Sequence, residues 1–347
     1  MLLNLFPFMP HPCIALDLGT ANTRVYSTVL GEMTEMPSCI LLAPQHANNI
    51  ADEYLQYTNT NLRAKPLRGG VIVDLNNTVK LLKPLIKKSR SLFQAPAALA
   101  SAPTDSTEAE RGLLRKALNI AGASHVSVIP EVLAAAHGAG MDTSLSTAQL
   151  LIDLGDGVTD LAVFRDGQMI FCSSIRTACS DLHRAIRSAV VAKHKIMLLD
   201  QDIERLTDEA LSFLADKAGQ CDSFEMQGID IIKRRKVNCF IDRGHAVDAI
   251  TPVVHKITKM IETSLARLPE EVYGSIIESG ILLTGGGACI QGFDKLIKLR
   301  TNMDVRVASD PIHAVIKGEI ETLNYWKEKH NWWDKISWPH NQAIARF

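Results

Sequence analysis

The sequence lacks any apolar run of the roughly 20 residues that a transmembrane helix needs. Its first stretch, Met1 to Met9, is apolar but has no basic flank and no small-residue cleavage site, so we do not expect a signal peptide. The formal net charge is only -1, from 37 Lys and Arg against 38 Asp and Glu. No overall electric field would therefore attract nucleic acid or an anionic membrane, and any such contact must be local.

The seven cysteines form no CxxC pair and no cluster with histidine at metal-ligand spacing. This pattern favours reduced thiols in a cytoplasmic protein over a disulfide framework or a zinc site. At 347 residues the chain is too long for one simple core, and we expect two domains that each bury their own apolar surface.

Two segments share one pattern, in which a short apolar strand runs into a turn with Asp and Gly and the chain then returns as a second strand. Cys13 to Leu18 ends in Asp17-Leu18-Gly19-Thr20, and Gln149 to Ile152 leads into Asp153-Leu154-Gly155-Asp156-Gly157. An internal duplication of one α/β unit explains this repetition.

Each half also contains a stretch where the α/β pattern weakens, which indicates a small inserted subdomain. We predict a lobe I core at 1–30, 68–145 and 310–330, a lobe I subdomain at 31–67, a lobe II core at 146–182 and 247–309, a lobe II subdomain at 183–246, and a tail at 331–347.

Turns with Asp and Gly can hold a phosphate chain from two sides. Glycine lets backbone N–H groups approach anionic oxygens, and a carboxylate at a strand end can hold Mg²⁺ through water. A single such turn is more often an ordinary hairpin. A third segment, Leu283-Thr284-Gly285-Gly286-Gly287, joins a strand to a helix through three glycines and would let a flat ring lie against the backbone. The combination of these three elements in this order, with one inserted subdomain in each half, is a more specific signal than any one of the turns alone.

With these motifs the chain resembles the actin, hexokinase and heat-shock-chaperone ATPase superfamily and, within it, the MreB family of bacterial actins. The resemblance runs in collinear order over roughly residues 13–325. It implies an α/β, actin-like ATPase fold of two duplicated lobes, each with a smaller inserted subdomain and with the nucleotide in the cleft between them. Further similar segments are Glu35-Met36-Pro37-Ser38, Gly70-Val71-Ile72-Val73-Asp74, Thr107-Glu108-Ala109-Glu110-Arg111 and Ala134-Ala135-Ala136-His137-Gly138-Ala139-Gly140.

The resemblance implies that ATP and Mg²⁺ bind in this cleft. It places Asp17 and Asp153 at the Mg²⁺, through water, and Asp153 and Thr159 in the catalytic group with Glu131. The residues that it assigns to the nucleotide are Gly19, Thr20, Ala21, Asn22, Gly155, Asp156, Gly157, Glu204, Gly285, Gly286, Gly287 and Ala288.

Glu131 is the candidate catalytic residue. Pro130-Glu131-Val132 opens a predicted helix, with Pro at a favoured first position and Glu where the helix dipole is expected to keep a carboxylate ionised. A Glu is also favoured there as a first-turn residue with no chemistry. The resemblance decides for catalysis, since its members carry at this position the Gln or Glu that orients the attacking water.

Two segments depart from the MreB pattern. The turn Gly155-Asp156-Gly157-Val158 stands where typical members have three glycines and Thr, although eukaryotic actins carry the same four residues. Thr177-Ala178-Cys179-Ser180-Asp181 stands where the family usually has Gly-Gly-Asp near the nucleotide, which puts the affinity for ATP in question.

Two apolar points on one lobe predict peripheral membrane binding. Leu2, Leu5 and Phe6 share a face if the first residues are helical, and Leu92-Phe93 follows the basic residues Lys87, Lys88 and Arg90. MreB proteins carry a short apolar loop at about this second place, whereas a buried Leu-Phe before the next strand is the alternative. The Trp-rich tail from Trp332 can dock on the body, a second subunit or a membrane protein.

The resemblance implies an ATPase that polymerises into filaments on the inner face of the cytoplasmic membrane and directs cell shape by organising peptidoglycan synthesis. The expected partners are further copies of the chain, the inner membrane surface and cell-wall elongation membrane proteins, with no nucleic acid. One alternative is a nucleotide-binding scaffold with little turnover. Another is a small-molecule kinase on the same fold, which would need an Asp base where Glu131 lies.

Overall fold

The computed structural model describes residues 11–41, 63–92, 94–216 and 223–328. The predicted membrane residues Leu2, Leu5, Phe6 and Phe93 and the Trp-rich tail lie outside these residues. Within the described ranges, the helices are all too short or too polar to cross a bilayer.

Strands and helices alternate along both halves of the chain. The strands are β1 (Cys13–Leu18), β2 (Asn22–Ser27), β3 (Glu32–Pro37), β4 (Ile40–Leu41), β5 (Arg63–Ala64), β6 (Leu67–Arg68), β7 (Val71–Ile72), β8 (Ala97–Ala102), β9 (Val126–Pro130), β10 (Gln149–Leu154), β11 (Thr159–Arg165), β12 (Gln168–Ile175), β13 (Ile196–Leu198), β14 (Ser223–Asp230), β15 (Arg235–Asp242), β16 (Ile281–Thr284) and β17 (Val305–Val307). The α-helices are α1 (Leu75–Lys88), α2 (Glu108–Ala121), α3 (Glu131–Gly138), α4 (Cys179–His194), α5 (Asp200–Asp216), α6 (Arg243–Leu265), α7 (Glu270–Ser279), α8 (Phe293–Thr301) and α9 (Ala314–Glu328).

Two five-stranded sheets with one topology form the frame of the molecule. Their strand orders are β3-β2-β1-β8-β9 and β12-β11-β10-β16-β17. In each, the central strand, β1 or β10, pairs antiparallel with the next strand in sequence and parallel with a later one. The duplication expected from the two Asp-x-Gly turns is therefore present in the sheets.

The central strands are apolar because both of their faces are covered. All six residues of β1 are buried, as are five of the six in β10. Each of these strands carries one acidic residue near its carboxyl end, Asp17 in β1 and Asp153 in β10. Buried carboxylates are costly without a partner or a ligand, so their position marks the strand ends as a functional region.

Helix α2 begins where the sequence predicted its cap. Thr107 is the N-cap, its side chain accepts from the backbone N–H of Glu110, and the Glu110 carboxylate accepts from the backbone N–H of Thr107. This capping box satisfies donors that the first helical turn leaves unpaired. The helix ends at Gly122, whose φ of 116° lies in the left-handed region that glycine tolerates.

Smaller elements lie within the predicted insertions. Strands β4 and β5 form a two-stranded sheet beside the first lobe, while β13, β14 and β15 form a three-stranded antiparallel sheet in the second. Helices α5, α6 and the end of α4 pack with that sheet around one continuous apolar core of the second lobe.

Two predicted helix starts are wrong. The apolar spacing of the sequence predicts a helix from Pro252 to Ala266, but α6 begins at Arg243, because the Asp242 side chain caps its first turn and Pro252 is accommodated inside the helix. Pro130 is the N-cap of α3 and the last residue of β9, so Glu131, rather than Pro130, is the first helical residue.

Candidate functional site

A cavity lies where the carboxyl ends of β1 and β10 meet between the two sheets. Turns from both lobes, the start of α3 and the segment before α9 surround it. Its lining residues are Asp17, Leu18, Gly19, Thr20, Ala21, Asn22, Arg24, Gly70, Glu131, Asp153, Gly155, Asp156, Gly157, Val158, Gly285, Gly286, Pro311, Ile312 and Val315.

Side-chain hydrogen bonds hold the first turn in shape. The Ser38 hydroxyl donates to the backbone oxygen of Gly19 at 2.6 Å and lies 2.7 Å from the Thr23 hydroxyl. The Thr20 hydroxyl accepts from the backbone N–H of Gly70 at 2.9 Å. The backbone between β1 and β2 is therefore fixed before any ligand arrives.

The second turn touches the first at Gly157. A Cβ atom at this position would lie 2.4 Å from the Thr20 hydroxyl oxygen and 3.0 Å from the backbone of Gly70. No side chain fits there, so glycine is what lets the two lobes approach each other at the cavity floor.

The three-glycine segment is divided between the cavity and the core. Gly285 has a φ of +80°, and a Cβ there would lie 2.4 Å from the backbone oxygen of Leu154, whereas a Cβ at Gly286 would meet nothing within 4 Å. Gly287 packs against Cys179 and Leu154, and Ala288 is buried. Gly285 and Gly286 thus face the cavity, with Gly287 and Ala288 behind them.

Asp153 is tied to the glycine segment through Thr284, whose hydroxyl donates to the Asp153 carboxylate at 2.7 Å. Burial raises the pKa of Asp153 to about 6, although this hydrogen bond opposes the shift. Burial likewise raises the pKa of Asp160 to about 7 and that of Asp17 above its ordinary value, in spite of the Arg24 charge beside Asp17. Asp160 does not line the cavity, but Asp17, Glu131, Asp153 and Asp156 do, and a lining rich in carboxyl groups suits a cation-bound ligand.

Glu131 behaves differently from the expectation based on the helix dipole. Desolvation, followed by the charges of Asp153, Asp160, Asp17 and Glu319, raises its pKa well above the ordinary value. The prediction that the helix start keeps this carboxylate ionised is thus wrong for the ligand-free cavity. A dipole contribution near a helix end is small, about 0.3–1 kcal/mol, and burial among carboxylates exceeds it.

Arg24 was missed by sequence reasoning. It is buried, lies opposite Asp17 in the register of β1 with β2, and lines the cavity. One guanidinium nitrogen lies 2.8 Å from Asp17, and the other lies 2.8 Å from Glu35. The pairing could have been predicted from the sequence, because Asp17 lies opposite Arg24 once Gly19 to Asn22 are taken as the turn.

Most of the residues predicted for the nucleotide site line this cavity. Gly287 and Ala288 lie behind it, Thr159 and Glu204 do not line it, and the predicted membrane residue Leu92 lies elsewhere. Thr159 is buried and its hydroxyl donates to the backbone oxygen of Thr177 at 2.8 Å. Glu204 is exposed on α5, away from the lining residues. Leu92 lies apart from the cavity, with 94% of its surface exposed.

The segment that departs from the family pattern lies directly against the second turn. The Ser180 hydroxyl and backbone N–H both donate to the backbone oxygen of Asp156, at 2.7 and 2.9 Å. Ala178 is the N-cap of α4 and has no capping side chain, but its N–H donates to Asp181. The segment thus shapes the glycine turn through its backbone.

The lining residues fit a phosphate ligand accompanied by a hard cation. Glycine turns from both lobes expose backbone to the cavity, and carboxylate oxygens are what Mg²⁺ prefers. Across the described ranges, no three His, Cys, Asp or Glu side chains cluster closely enough to hold a metal. A Mg²⁺ ion here would need ligand oxygens and water besides Asp17 and Asp153, as Mg²⁺ commonly has in phosphate sites.

The duplicated sheets, the inserted subdomains and the glycine-lined cleft between the lobes define an actin-like protein. A family model described as MreB/Mbl protein matches residues 11–331, and the chain belongs to this family. Over 323 residues it is 29% identical to the cell shape-determining protein MreB of Escherichia coli (strain K12), covering 89% of this chain and 92% of that one. It is 28% identical over 313 residues to the cell shape-determining protein Mbl of Bacillus subtilis (strain 168), with coverages of 88% and 93%.

Solved structures of similar proteins have the same fold as this chain. The crystal structure of MreB 5 of Spiroplasma citri bound to AMPPNP matches with a TM-score of 0.79 at 27% identity, covering 93% of this chain and 98% of that one. The MamK double helical filament matches with a TM-score of 0.71 at 19% identity, covering 91% and 99%, and shows the same fold. The actin-like fold predicted from the motifs is confirmed.

Proposed function

We propose that this protein is an ATPase that binds ATP with Mg²⁺ in the cleft and polymerises into filaments on the inner face of the cytoplasmic membrane. In this role it directs cell shape by organising peptidoglycan synthesis with cell-wall elongation membrane proteins. The observation that carries the proposal is the meeting of three glycine-containing turns and two strand-end carboxylates at one cavity between duplicated lobes. The MreB 5 structures bound to AMPPNP and ADP support it.

Each group has a distinct task in this proposal. The turns at Gly19 and Gly155 present backbone N–H groups to the phosphates, and Asp17 and Asp153 hold the Mg²⁺ ion through water. When bound, Mg²⁺ supplies positive charge that offsets the charge of the phosphates. Glu131 orients the attacking water by accepting its hydrogen bond, and the ionised carboxylate is the stronger acceptor. Since its pKa is raised, hydrolysis should increase as the pH rises.

The test of the enzyme is phosphate release and sedimentation of the purified protein with Mg-ATP. Glu131→Ala removes the group that orients the attacking water, and we expect it to lower phosphate release by about 100-fold or more while nucleotide binding persists. Glu278→Ala, an exposed change on α7, is the matched control. Pelleting without turnover in the parent protein would favour the scaffold, and the absence of both pelleting and turnover would refute the filament proposal.

Membrane association rests on one exposed apolar side chain. Leu92 follows the basic end of α1, Lys87 and Lys88, and 94% of its surface is exposed. An apolar side chain beside cations suits an anionic lipid interface. We expect Leu92→Ser to reduce sedimentation with anionic liposomes, while Ile120→Ser, at another exposed apolar site, does not. Equal loss in both variants, or in neither, would contradict this assignment.

A scaffold with little turnover is the second candidate. One observation favours it: burial, together with the neighbouring carboxylates, raises the pKa of Glu131 well above its ordinary value, which weakens it as an acceptor. The phosphate-release assay above separates the two candidates, because a scaffold would sediment with nucleotide and be insensitive to Glu131→Ala.

A further inference from the structure

Arg24 is a cation inside an acidic cavity. Among the lining residues that the structure describes, the other charged side chains, Asp17, Glu131, Asp153 and Asp156, are acidic. Lys65 and Arg184 lie near enough to Asp156 to lower its pKa, but neither lines the cavity. A phosphate chain entering this space would meet several carboxylates and one fixed positive charge.

Two carboxylates fix the position of the Arg24 guanidinium. Its terminal nitrogens lie 2.8 Å from Asp17 and 2.8 Å from Glu35, and the residue keeps only 8% of its surface exposed. Nε is buried without a hydrogen-bond partner, and each terminal nitrogen has a second N–H besides the one used on a carboxylate. A guanidinium stays charged at any physiological pH, and an uncommitted donor on it is a group that a phosphate oxygen can satisfy.

Arg24 also contacts a residue expected to hold the metal. Its ion pair with Asp17 uses one carboxylate oxygen, and the other oxygen would be left for the water shell of a bound Mg²⁺ ion. Part of the charge on the phosphates can therefore be neutralised by the protein itself.

We propose that Arg24 is a built-in counter-cation for the nucleotide phosphates, which lets this protein bind ADP or ATP with a weaker dependence on Mg²⁺ than the carboxylates alone would impose. The inference rests on the proposed nucleotide function of the cleft. It concerns binding and not hydrolysis, so Arg24 acts beside the proposed Mg²⁺ site and does not replace it.

The experiment is a titration of ADP by calorimetry, in excess Mg²⁺ and again in EDTA, for the parent chain, Arg24→Leu and Arg24→Lys. The quantity compared is the ratio of the two dissociation constants. We expect this ratio to be about 10- to 100-fold larger for Arg24→Leu than for the parent, the factor that loss of one charge-assisted hydrogen bond gives. Arg24→Lys keeps the charge and should restore most of the parent ratio.

Arg111→Leu is the matched control, since Arg111 is a buried arginine of the same lobe that lies outside the cavity lining. It should lower thermal stability without changing the ratio, which separates a loss of packing from a loss of charge at the phosphates. If Arg24→Leu does not fold, Arg24→Gln takes its place, because it stays polar beside Asp17 and Glu35 but has no charge, and it should raise the ratio in the same way.

The outcomes separate this inference from the proposed function. An unchanged ratio in a folded Arg24→Leu variant, or in Arg24→Gln where Arg24→Leu does not fold, would overturn the role of Arg24 while nucleotide binding stands. A parent protein that binds no nucleotide even with Mg²⁺ would overturn both.

Discussion

Arg176 and Glu110 join the two lobes across the cleft through a two-point ion pair. The terminal nitrogens of Arg176, directly after β12, donate to the two carboxylate oxygens of Glu110 on α2 at 2.8 and 3.0 Å. The Arg176 Nε also donates to Asp105 at 3.2 Å. Since Glu110 also caps α2, one carboxylate both starts a helix and ties the lobes together.

Removing this tie should loosen the ligand-free protein. We expect Arg176→Gln to lower the free energy of unfolding by about 1 kcal/mol, because the pair is partly exposed to solvent, and to increase the radius of gyration measured by small-angle X-ray scattering. Arg184→Gln is the control, since Arg184 pairs with Asp181 within a single helix of lobe II. An unchanged radius of gyration in Arg176→Gln, or an equal increase in both variants, would contradict the inter-lobe role.

The same pair predicts a pH dependence. The hydrogen bonds from Arg176 lower the pKa of Glu110 from 4.5 to about 2. The folded state therefore binds fewer protons than the unfolded state between these values, and the contribution to stability is present above pH 4.5 and lost as the pH falls toward 2. The stability difference between the parent and Arg176→Gln should shrink over this range in urea unfolding experiments. A difference that grows on acidification would contradict the assignment.

Local patterns were enough to predict much of the fold. Apolar runs predict strands at Cys13–Leu18 and Ala97–Ala102, and the pattern after the three glycines predicts a helix from Phe293. The structure has all three with these bounds, because uniform burial gives continuous apolar runs that polar turns interrupt. The missed first turns of α6 show the limit of such patterns. Pro252 reads as a helix start, whereas burial of Ala246 and Ile250 against the lobe II core favours an earlier one.

The parts of the site that depend on backbone geometry were predictable from the sequence. The protonation state of its acidic residues, which depends on burial, was not. Glycines at turns signal close approach from the sequence alone, and Gly157 and Gly285 fulfil that role. The state of Glu131 depends on carboxylates from distant parts of the chain, Asp153 and Glu319 among them, which no local pattern reveals. The contribution of each group to the field in the cavity is a tertiary property.

Helices α3 and α9 approach so closely that two glycines are required at their crossing. A Cβ at Gly138 would lie 1.9 Å from the backbone oxygen of Ala314, and one at Gly318 would lie 1.8 Å from that of Ala134. Both atoms belong to helix backbones, which cannot move aside easily. Because α3 carries Glu131 at its start, this crossing also sets the position of the proposed catalytic carboxyl.

We expect Gly318→Ala to lower the free energy of unfolding by about 3 kcal/mol or more through this overpacking. Gly112→Ala is the matched control. Gly112 is also helical but a Cβ there would meet nothing within 4 Å, so the change should be neutral or stabilise by up to about 1 kcal/mol. Urea unfolding of both variants decides the matter, and similar values for the two would show that the helices can separate at little cost.

Glu319 is a buried acid on α9 with no exposed surface. Neither of its carboxyl oxygens makes a well-formed hydrogen bond within the described part of the chain. The nearby Ser101 lowers the pKa of Glu319 by less than burial raises it. Desolvation, aided by the charge of Asp17, raises its pKa well above 4.5. At neutral pH the folded state must therefore either keep a proton on this carboxyl or bury an uncompensated charge, and both lower its stability.

Glu319→Gln keeps the size of the side chain and removes the acid, so it should stabilise the protein at pH 7 by about 1–3 kcal/mol. The sign of the pH dependence follows from the raised pKa: the folded state holds its proton to a higher pH than the unfolded state does, so the parent loses stability as the pH rises above about 4.5. The two proteins should therefore converge below that pH. Glu321→Gln, exposed on the same helix, is the control and should change little. Destabilisation by Glu319→Gln at pH 7 would mean that this carboxyl is used ionised and is held by contacts that form only when the cleft is loaded.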